Sequence, residues 1–174
     1  DLAIYTLALH TGIRISELVS LDVKDINWNN RSFKVIRKRG NEDIVYFDNT
    51  TERVLLDWLD ERTNLKETLG ITDDNEPALF ISTKGRNRGT RLSVRSVERM
   101  VKKYAEIAVP EVKGMHVDSL RSTCATNVYE KSHDLVYTKS LLGHSSVNTT
   151  MRYVKDDEQK KKDNRTLLDR KKDG

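Results

Sequence analysis

The chain has 174 residues, of which 36% are hydrophobic and 33% charged, with a formal net charge of +4. This length fits one ordinary domain with a single core, and the composition is that of a globular protein with a very polar surface. No apolar run approaches the roughly 18 residues that a membrane span requires, and a single cysteine excludes both an intramolecular disulfide and a cysteine zinc cluster. We expect Cys124 to be a small buried residue and the protein to be intracellular.

The first predicted elements are helices. Residues 1–10 have helical spacing and lead to Gly12, a residue typical of a helix C-cap. Because the chain opens without Met inside this apolar pattern, we expect it to be a fragment of a longer protein. The stretch "RISELVSL" then predicts a short second helix. Leu18 and Leu21 of this helix are predicted to face inward, as is Ile13, which directly precedes it.

The hydrophobic period then changes from helical to alternating. The stretch "INWNNRSFKVIRKRGNEDIVYF" predicts three antiparallel strands joined by tight turns at "NN" and "RGN". "NTTERVLLDWLDERTNL" returns to helical spacing. Its apolar stripe consists of Val54, Leu55, Trp58 and Leu59. A polar loop, the apolar "ALFIS" and the basic loop "TKGRNRG" follow.

The remaining sequence is predicted to be helical. Ser93 is a typical N-cap for a helix through about Ile107. One face of that helix has Arg95, Arg99 and Lys102 or Lys103, and another has Val94, Val97 and Val101. Three further helices are predicted in "DSLRSTCATNVYE", "DLVYTKSLLG" and "VNTTMRYVKD". The fold class is therefore α+β, mainly helical, with a small three-stranded antiparallel sheet. We expect residues 1–174 to form a single domain in which 155–174 are a charged tail.

Basic residues are concentrated in two places. The stretch from Lys84 to Lys103 has eight Lys/Arg and one acid, Glu98, and a second cluster is "RKR" at 37–39. Such clusters suit a polyanion, most often nucleic acid, although a solvated helix face explains charge of this kind equally well. The candidate DNA-binding residues are Arg37, Arg39, Lys84, Arg86, Arg88, Arg91, Arg95 and Arg99.

Three local signatures follow one another in the chain. They are "TGIRISEL" around Arg14, "DSLRSTCAT" around Arg121 and "LLGHSSVNTTMRY" ending at Tyr153. In this order, and with a hairpin lysine between the first two, they resemble the catalytic domain of the tyrosine recombinases, the phage-integrase family. The resemblance covers residues 1 to about 154.

The resemblance implies a role for each matching residue. Arg14 and Arg121 would hold the scissile phosphate, and Lys38 would be the hairpin lysine. His144 matches the histidine of the "LGH" box, and Tyr153 matches the nucleophile. The implied reaction breaks and rejoins DNA through a 3′-phosphotyrosyl link and uses no metal, ATP or other cofactor.

The chemistry of these residue types agrees with those roles. Attack on a phosphodiester builds negative charge on its oxygens, which the planar, permanently charged guanidinium group is suited to bind. A phenol has a pKa near ~10, so it needs a base or a positive field as it attacks. A lysine with a lowered pKa can protonate the departing 5′-oxygen.

Several alternatives stay open at the level of sequence. Each residue alone also has a structural interpretation; Arg121, for example, could pair with Glu17 or Glu130. Arg37 or Arg39 could replace Lys38, because turn register is uncertain. The family usually has histidine where this chain has Asp118, three residues before Arg121. An aspartate could accept the tyrosine proton, but it would also repel the phosphate; His116 could substitute for the histidine.

The resemblance also implies partners. We expect double-stranded DNA, a homotetramer on paired sites, no membrane and no small-molecule substrate. We expect a protein encoded by a bacterium or a phage to lie in the cytoplasm, on the nucleoid. A core-binding domain is expected to precede this chain. The rival functions are a catalytically impaired DNA-binding relative with Asp118 as the lesion, a type IB topoisomerase-like enzyme, and a protein-binding module.

Overall fold

A computed structural model of the protein describes residues 1–37, 40–108, 116–143 and 150–151. The helices are α1 Leu2–Thr11, α2 Ile15–Ser20, α3 Asn49–Leu69, α4 Val94–Ala108, α5 Val117–Ser132 and α6 Leu135–Leu142. The strands are β1 Ile26–Asn27, β2 Ser32–Ile36 and β3 Glu42–Tyr46. The mainly helical α+β class with three antiparallel strands is confirmed. The last predicted helix, "VNTTMRYVKD", and the tail 155–174 lie almost wholly outside the described residues.

The chain divides into two compact units, Asp1–Arg121 and Ser122–Gly174. The division falls inside α5, so this helix belongs to both units. A single domain over residues 1–174 stays a prediction. None of the described helices is both long enough and apolar enough to cross a membrane.

A sharp corner joins α1 to α2. Gly12 follows α1 in the left-handed conformation, at φ 62°, and its N–H donates to the carbonyl of Ala8 at 3.0 Å. A side chain would strain the backbone at this φ, which is why glycine is favoured here. The Thr11 hydroxyl donates to the carbonyl of Leu7 and accepts from the N–H of Ile13, so that both sides of the corner are fixed. The corner ends at Arg14, directly before α2.

The sheet has one buried and one exposed face. Strand β2 pairs with β1 and β3 in antiparallel register, with Phe33 opposite Val45 and Val35 opposite Asp43. Phe33, Val35 and Val45 are buried, and Phe33 stacks on Phe47 with ring centroids 6.0 Å apart. The alternating residues on the other face are exposed, as the two-residue period of a strand requires. They are Lys34, Ile36, Ile44 and Tyr46.

Helix α3 covers the core with the predicted apolar stripe. Leu55 and Trp58 are buried, and the Trp58 indole N–H donates to the carbonyl of Leu79 at 2.8 Å. Trp58 also stacks on Phe80, at 6.0 Å between ring centroids. The "ALFIS" segment that contains Leu79 and Phe80 is buried, but it forms only isolated β-bridges to Asp22 and Arg91 among the described residues.

Two buried cations connect α3 to the loop that follows it. Arg62 and Lys66 both donate to Asp73, at 2.8 and 2.7 Å, and Lys66 also donates to the carbonyl of Glu76. The bonds from Lys66 and Arg62 lower the pKa of Asp73 below its ordinary value of 3.8. Because the folded-state pKa is the lower one, this stabilisation is present above pH 3.8 and is lost as the pH falls through the folded pKa.

The second unit is described mainly by α5 and α6. Cys124 is buried, as predicted, and Ala125 and Leu142 form a small apolar cluster. The side chain of Tyr137 is 53% exposed. Helix α6 turns Thr138 and Leu142 inward, four residues apart, and Tyr137 falls outside that narrow stripe.

Candidate active site

The carboxylate of Glu17 organises the start of α2. One of its oxygens accepts from the Arg14 guanidinium at 2.8 Å, and the other accepts from the Arg14 backbone N–H at 3.0 Å. The backbone contact is half of a capping box, in which the third helical residue caps the helix start. Only 6% of the Glu17 side chain is exposed, so the pairing satisfies a carboxylate that burial would otherwise destabilise. Arg14 is thereby held in one orientation while 31% of its side chain stays exposed.

Arg37 contacts the same carboxylate from the hairpin. Its Nη1 donates to Glu17 at 3.3 Å and its Nε donates to Asp43 at 3.0 Å. Only 9% of the Arg37 side chain is exposed. Two carboxylates therefore surround a guanidinium that the sequence predicted to contact DNA. Direct DNA contact by Arg37 stays a prediction, and its observed partners offer a different role.

Arg121 reaches the corner between α1 and α2. Its Nη1 donates to the carbonyl of Gly12, two residues before Arg14. The left-handed conformation of Gly12 ends α1 and leaves this carbonyl available to an outside donor. Arg121 therefore contacts the backbone corner that leads into Arg14, although 107 positions separate the two arginines in the chain.

Asp118 lies in the first turn of α5, one turn before Arg121 on the same face, and it is exposed. Acids are favourable at a helix N-terminus, so a structural reason for the aspartate exists alongside any catalytic one. The alternative residue, His116, is also exposed and directly precedes α5; its carbonyl accepts from the N–H of Ser119 at 2.9 Å. Both side chains remain accessible to a ligand at this end of α5.

A basic surface extends over the loop before α4 and over α4 itself. Five of its predicted residues are exposed and have no acidic partner within 4.0 Å among the described residues: Lys84, Arg86, Arg88, Arg95 and Arg99. On the opposite face of α4, Val97, Val101 and Ala105 are buried, which confirms the predicted amphipathic helix. The Ser93 hydroxyl accepts from the N–H of Ser96 at 3.2 Å and caps this helix as predicted.

Gly89 fixes the shape of the basic loop. It adopts φ +86°, and a Cβ there would lie 2.6 Å from Cδ1 of Ile71 and 2.7 Å from Cδ1 of Leu69. The loop therefore packs closely against the end of α3 and turns its arginines outward. Arg91, the next arginine along, behaves differently from the other members of the cluster. Its guanidinium donates to the carbonyls of Val19 and Leu21, at 3.0 and 3.2 Å, and ties the loop to the end of α2.

Four predicted site residues lie outside the described residues, namely Lys38, Arg39, His144 and Tyr153. Their roles stay predictions. The sequence interpretation missed that Glu17 is the partner of Arg14, since it considered Glu17 only as a partner for Arg121. The signal was present as an acid three residues after Arg14 at a helix start, which is the spacing of a capping residue.

Comparisons with known proteins identify the family of this chain. The sequence profile described as the Phage integrase family matches residues 1–160. The chain is 37% identical over 154 residues to the tyrosine recombinase XerC of Shewanella amazonensis, which covers 88% of this chain and 48% of that protein. It is 34% identical over 154 residues to XerC of Corynebacterium glutamicum, with 88% and 46% covered. The chain thus spans about half the length of the relatives it matches.

Solved structures give the same result for the fold. The structure of XerA recombinase matches with a TM-score of 0.72 and 30% identity, covering 87% of this chain and 51% of that one. XerH, a site-specific recombinase bound to its palindromic difH substrate after cleavage, matches with a TM-score of 0.75 and 24% identity, covering 96% and 45%. The fold is that of a tyrosine recombinase catalytic domain. The chain itself belongs to the phage integrase family.

Proposed function

We propose that this chain breaks and rejoins duplex DNA as the catalytic part of a site-specific recombinase. The observation that carries the proposal is the bond from Arg121 to the carbonyl of Gly12, two residues before Arg14, in a chain of the phage integrase family. The relatives support it, because they are named as recombinases and several of the similar structures contain DNA. A recombinase is therefore favoured over a topoisomerase-like enzyme or a protein-binding module.

The proposed chemistry is a transfer of one phosphoryl group. The Tyr153 oxygen forms a bond to the scissile phosphorus, and the bond from phosphorus to the 5′-oxygen breaks. The phenol gives up its proton to a base, for which Asp118 is a candidate, and Lys38 donates a proton to the 5′-oxygen. Arg14, Arg121 and His144 stabilise the charge on the nonbridging oxygens. The phosphotyrosyl link keeps the energy of the broken bond, so that rejoining needs no ATP.

The exposed basic surface is proposed to hold the DNA backbone. Replacing Arg86 and Arg88 by alanine is expected to weaken binding to all sequences alike. The slope of log affinity against log salt should become shallower by about two, because each lost phosphate contact removes close to one released counterion. Fluorescence anisotropy with a labelled duplex at several salt concentrations measures this slope.

The matched control for this experiment is Arg53→Ala on α3. Arg53 is exposed, but it lies outside the basic surface and one turn before Asp57. Its replacement should leave the slope unchanged. A slope that stays the same in the Arg86→Ala, Arg88→Ala double variant would exclude this loop from the DNA-binding surface.

A catalytically impaired DNA-binding protein is the second candidate function. The exposed Asp118 carboxylate one turn from Arg121 favours it, because a negative charge there opposes a bound phosphate. Such a protein would bind DNA with a normal salt slope and form no covalent link. Recovery of cleavage in an Asp118→His variant would identify the aspartate as the lesion.

The decisive experiment detects the covalent link. This chain is incubated in EDTA with a nicked duplex from the DNA that flanks its gene, and protein–DNA adducts are separated under denaturing conditions. We expect an adduct, and peptide mapping should place the nucleotide on Tyr153. A nucleotide on Tyr137 or on a serine would overturn the site, and cleavage without an adduct would overturn the reaction.

Assembly and location follow from the same proposal. Rejoining strands between two sites requires four active chains, so we propose a homotetramer on paired sites, acting on the nucleoid as a protein encoded by a bacterium or a phage. Sedimentation of this chain with one and with two sites per DNA would test the tetramer. A complex with one chain per site at saturation would contradict it.

A further inference from the structure

The backbone of Arg37 closes the turn of the β2–β3 hairpin. Its N–H donates to the carbonyl of Asn41 at 2.7 Å, and its carbonyl accepts from the N–H of Gly40 at 3.2 Å. Arg37 follows the last residue of β2 directly and precedes Lys38 in the chain. Any constraint on Arg37 therefore acts on the residue next to the candidate proton donor.

The side chain of Arg37 points toward α2 and binds there. Its guanidinium donates to Glu17 through Nη1 and to Asp43 of β3 through Nε. A guanidinium suits this task, because its planar set of donors binds two carboxylates at fixed angles. A lysine would offer a single point of charge. Only 9% of the Arg37 side chain is exposed, so water competes little for these two bonds.

Glu17 anchors Arg37 to the corner that also holds Arg14. Its carboxylate bonds Arg14 of the corner and Arg37 of the hairpin at the same time. Both ion pairs are shielded from solvent on the Glu17 side, which strengthens them relative to surface pairs. The hairpin turn and the phosphate-binding corner are thus connected through one buried carboxylate.

We infer that Arg37 is a positioning residue that fixes the hairpin turn against the Arg14–Glu17 pair, and so sets Lys38 to protonate the departing 5′-oxygen. The inference rests on the proposed function. Arg37 then acts through Glu17 and Lys38, whereas its charge alone predicts a direct contact with a DNA phosphate. The consequence is specific to one half of the reaction. Glu17 keeps both of its bonds from Arg14 when Arg37 is replaced, so proton donation would suffer and phosphate binding would not.

A change of leaving group separates the two effects. A 5′-bridging sulfur leaves as a thiolate, since thiols have pKa values near ~8.5 and need no proton to depart. We compare cleavage of nicked duplexes that carry oxygen or sulfur at this position. In Arg37→Met, cleavage of the oxygen substrate should fall on the order of 10²-fold, a usual contribution of general acid catalysis. Cleavage of the sulfur substrate should remain within a few-fold of wild type.

Three other variants complete the test. Lys38→Ala should show the same selective loss. Arg37→Lys keeps the charge but loses the planar set of donors. Its cleavage rate should fall several-fold on the oxygen substrate and stay unchanged on the sulfur substrate. This variant provides the test if Arg37→Met does not fold. Lys34→Met alters an exposed side chain on the same hairpin and should match wild type on both substrates.

The remaining outcomes contradict the inference in different ways. Equal loss on both substrates would mean that Arg37 acts on phosphate binding or folding. Unchanged cleavage of both would remove any role in the reaction. A salt slope shallower by about one would make Arg37 a phosphate contact. A wild-type chain that forms no adduct on either substrate would refute the proposed function itself, and the inference with it.

Discussion

Tyr153→Phe is expected to abolish the covalent protein–DNA adduct while DNA affinity stays the same. Phenylalanine keeps the ring but has no oxygen to attack the phosphorus, so no phosphotyrosyl link can form. Loss of a nucleophile from an enzyme that works by covalent catalysis costs on the order of 10⁶-fold in rate, which places the adduct below detection. Denaturing electrophoresis of the nicked-duplex reaction measures the adduct, and anisotropy measures the binding.

Tyr137→Phe is the matched control for this result. Tyr137 is the exposed tyrosine of α6 and has the same chemistry. Its replacement should leave the adduct at the wild-type level. An adduct that survives in Tyr153→Phe would mean that another residue is the nucleophile, and its loss in Tyr137→Phe would name that residue.

Arg121→Lys is expected to lower the cleavage rate by about 10²–10³-fold, the usual effect of removing one preorganised donor from a transition state. Lysine keeps the positive charge, but it cannot present a planar pair of donors to the phosphate while also holding the carbonyl of Gly12. The rate of adduct formation at saturating DNA measures the effect. The salt slope of binding should not change, because the charge is the same.

A purely structural role for Arg121 would produce a different result. The bond to Gly12 joins α5 to the α1–α2 corner, so its loss could also loosen the fold. Thermal unfolding of the variant separates the two effects. A large fall in melting temperature together with a normal rate per folded molecule would contradict a role in catalysis. Arg53→Lys, an exposed arginine of α3, serves as the control and should change neither quantity.

The sequence predicted the features that depend only on nearby residues in the chain. The C-cap at Gly12, the N-cap at Ser93 and the buried stripe of α4 depend on neighbours within a few residues, and the structure confirms all three. The exposed face of α4 follows from the same helical spacing. These features need no knowledge of the rest of the fold.

The partners of the arginines could not be predicted in this way. Arg37, Arg86 and Arg91 all lie in basic stretches of the sequence, which does not distinguish them. In the structure, Arg37 binds Glu17, 20 residues away, and Arg91 binds a carbonyl 72 residues away. Charge identifies an arginine, but tertiary packing decides whether it faces solvent or an internal acceptor. The family signature located Arg14 and Arg121, while Glu17 as the shared partner of Arg14 and Arg37 emerged only from the geometry.

The Gly12 corner has a consequence for how this protein tolerates change. Arg14 is held by a side chain, which a single substitution at Glu17 can remove. Arg121 is held by a peptide carbonyl, which every amino acid possesses. Only the direction of that carbonyl must be preserved, and the left-handed turn at position 12 determines it. One of the two candidate catalytic arginines is therefore oriented by backbone shape, so that drift of the surrounding side chains leaves its anchor intact while position 12 stays glycine.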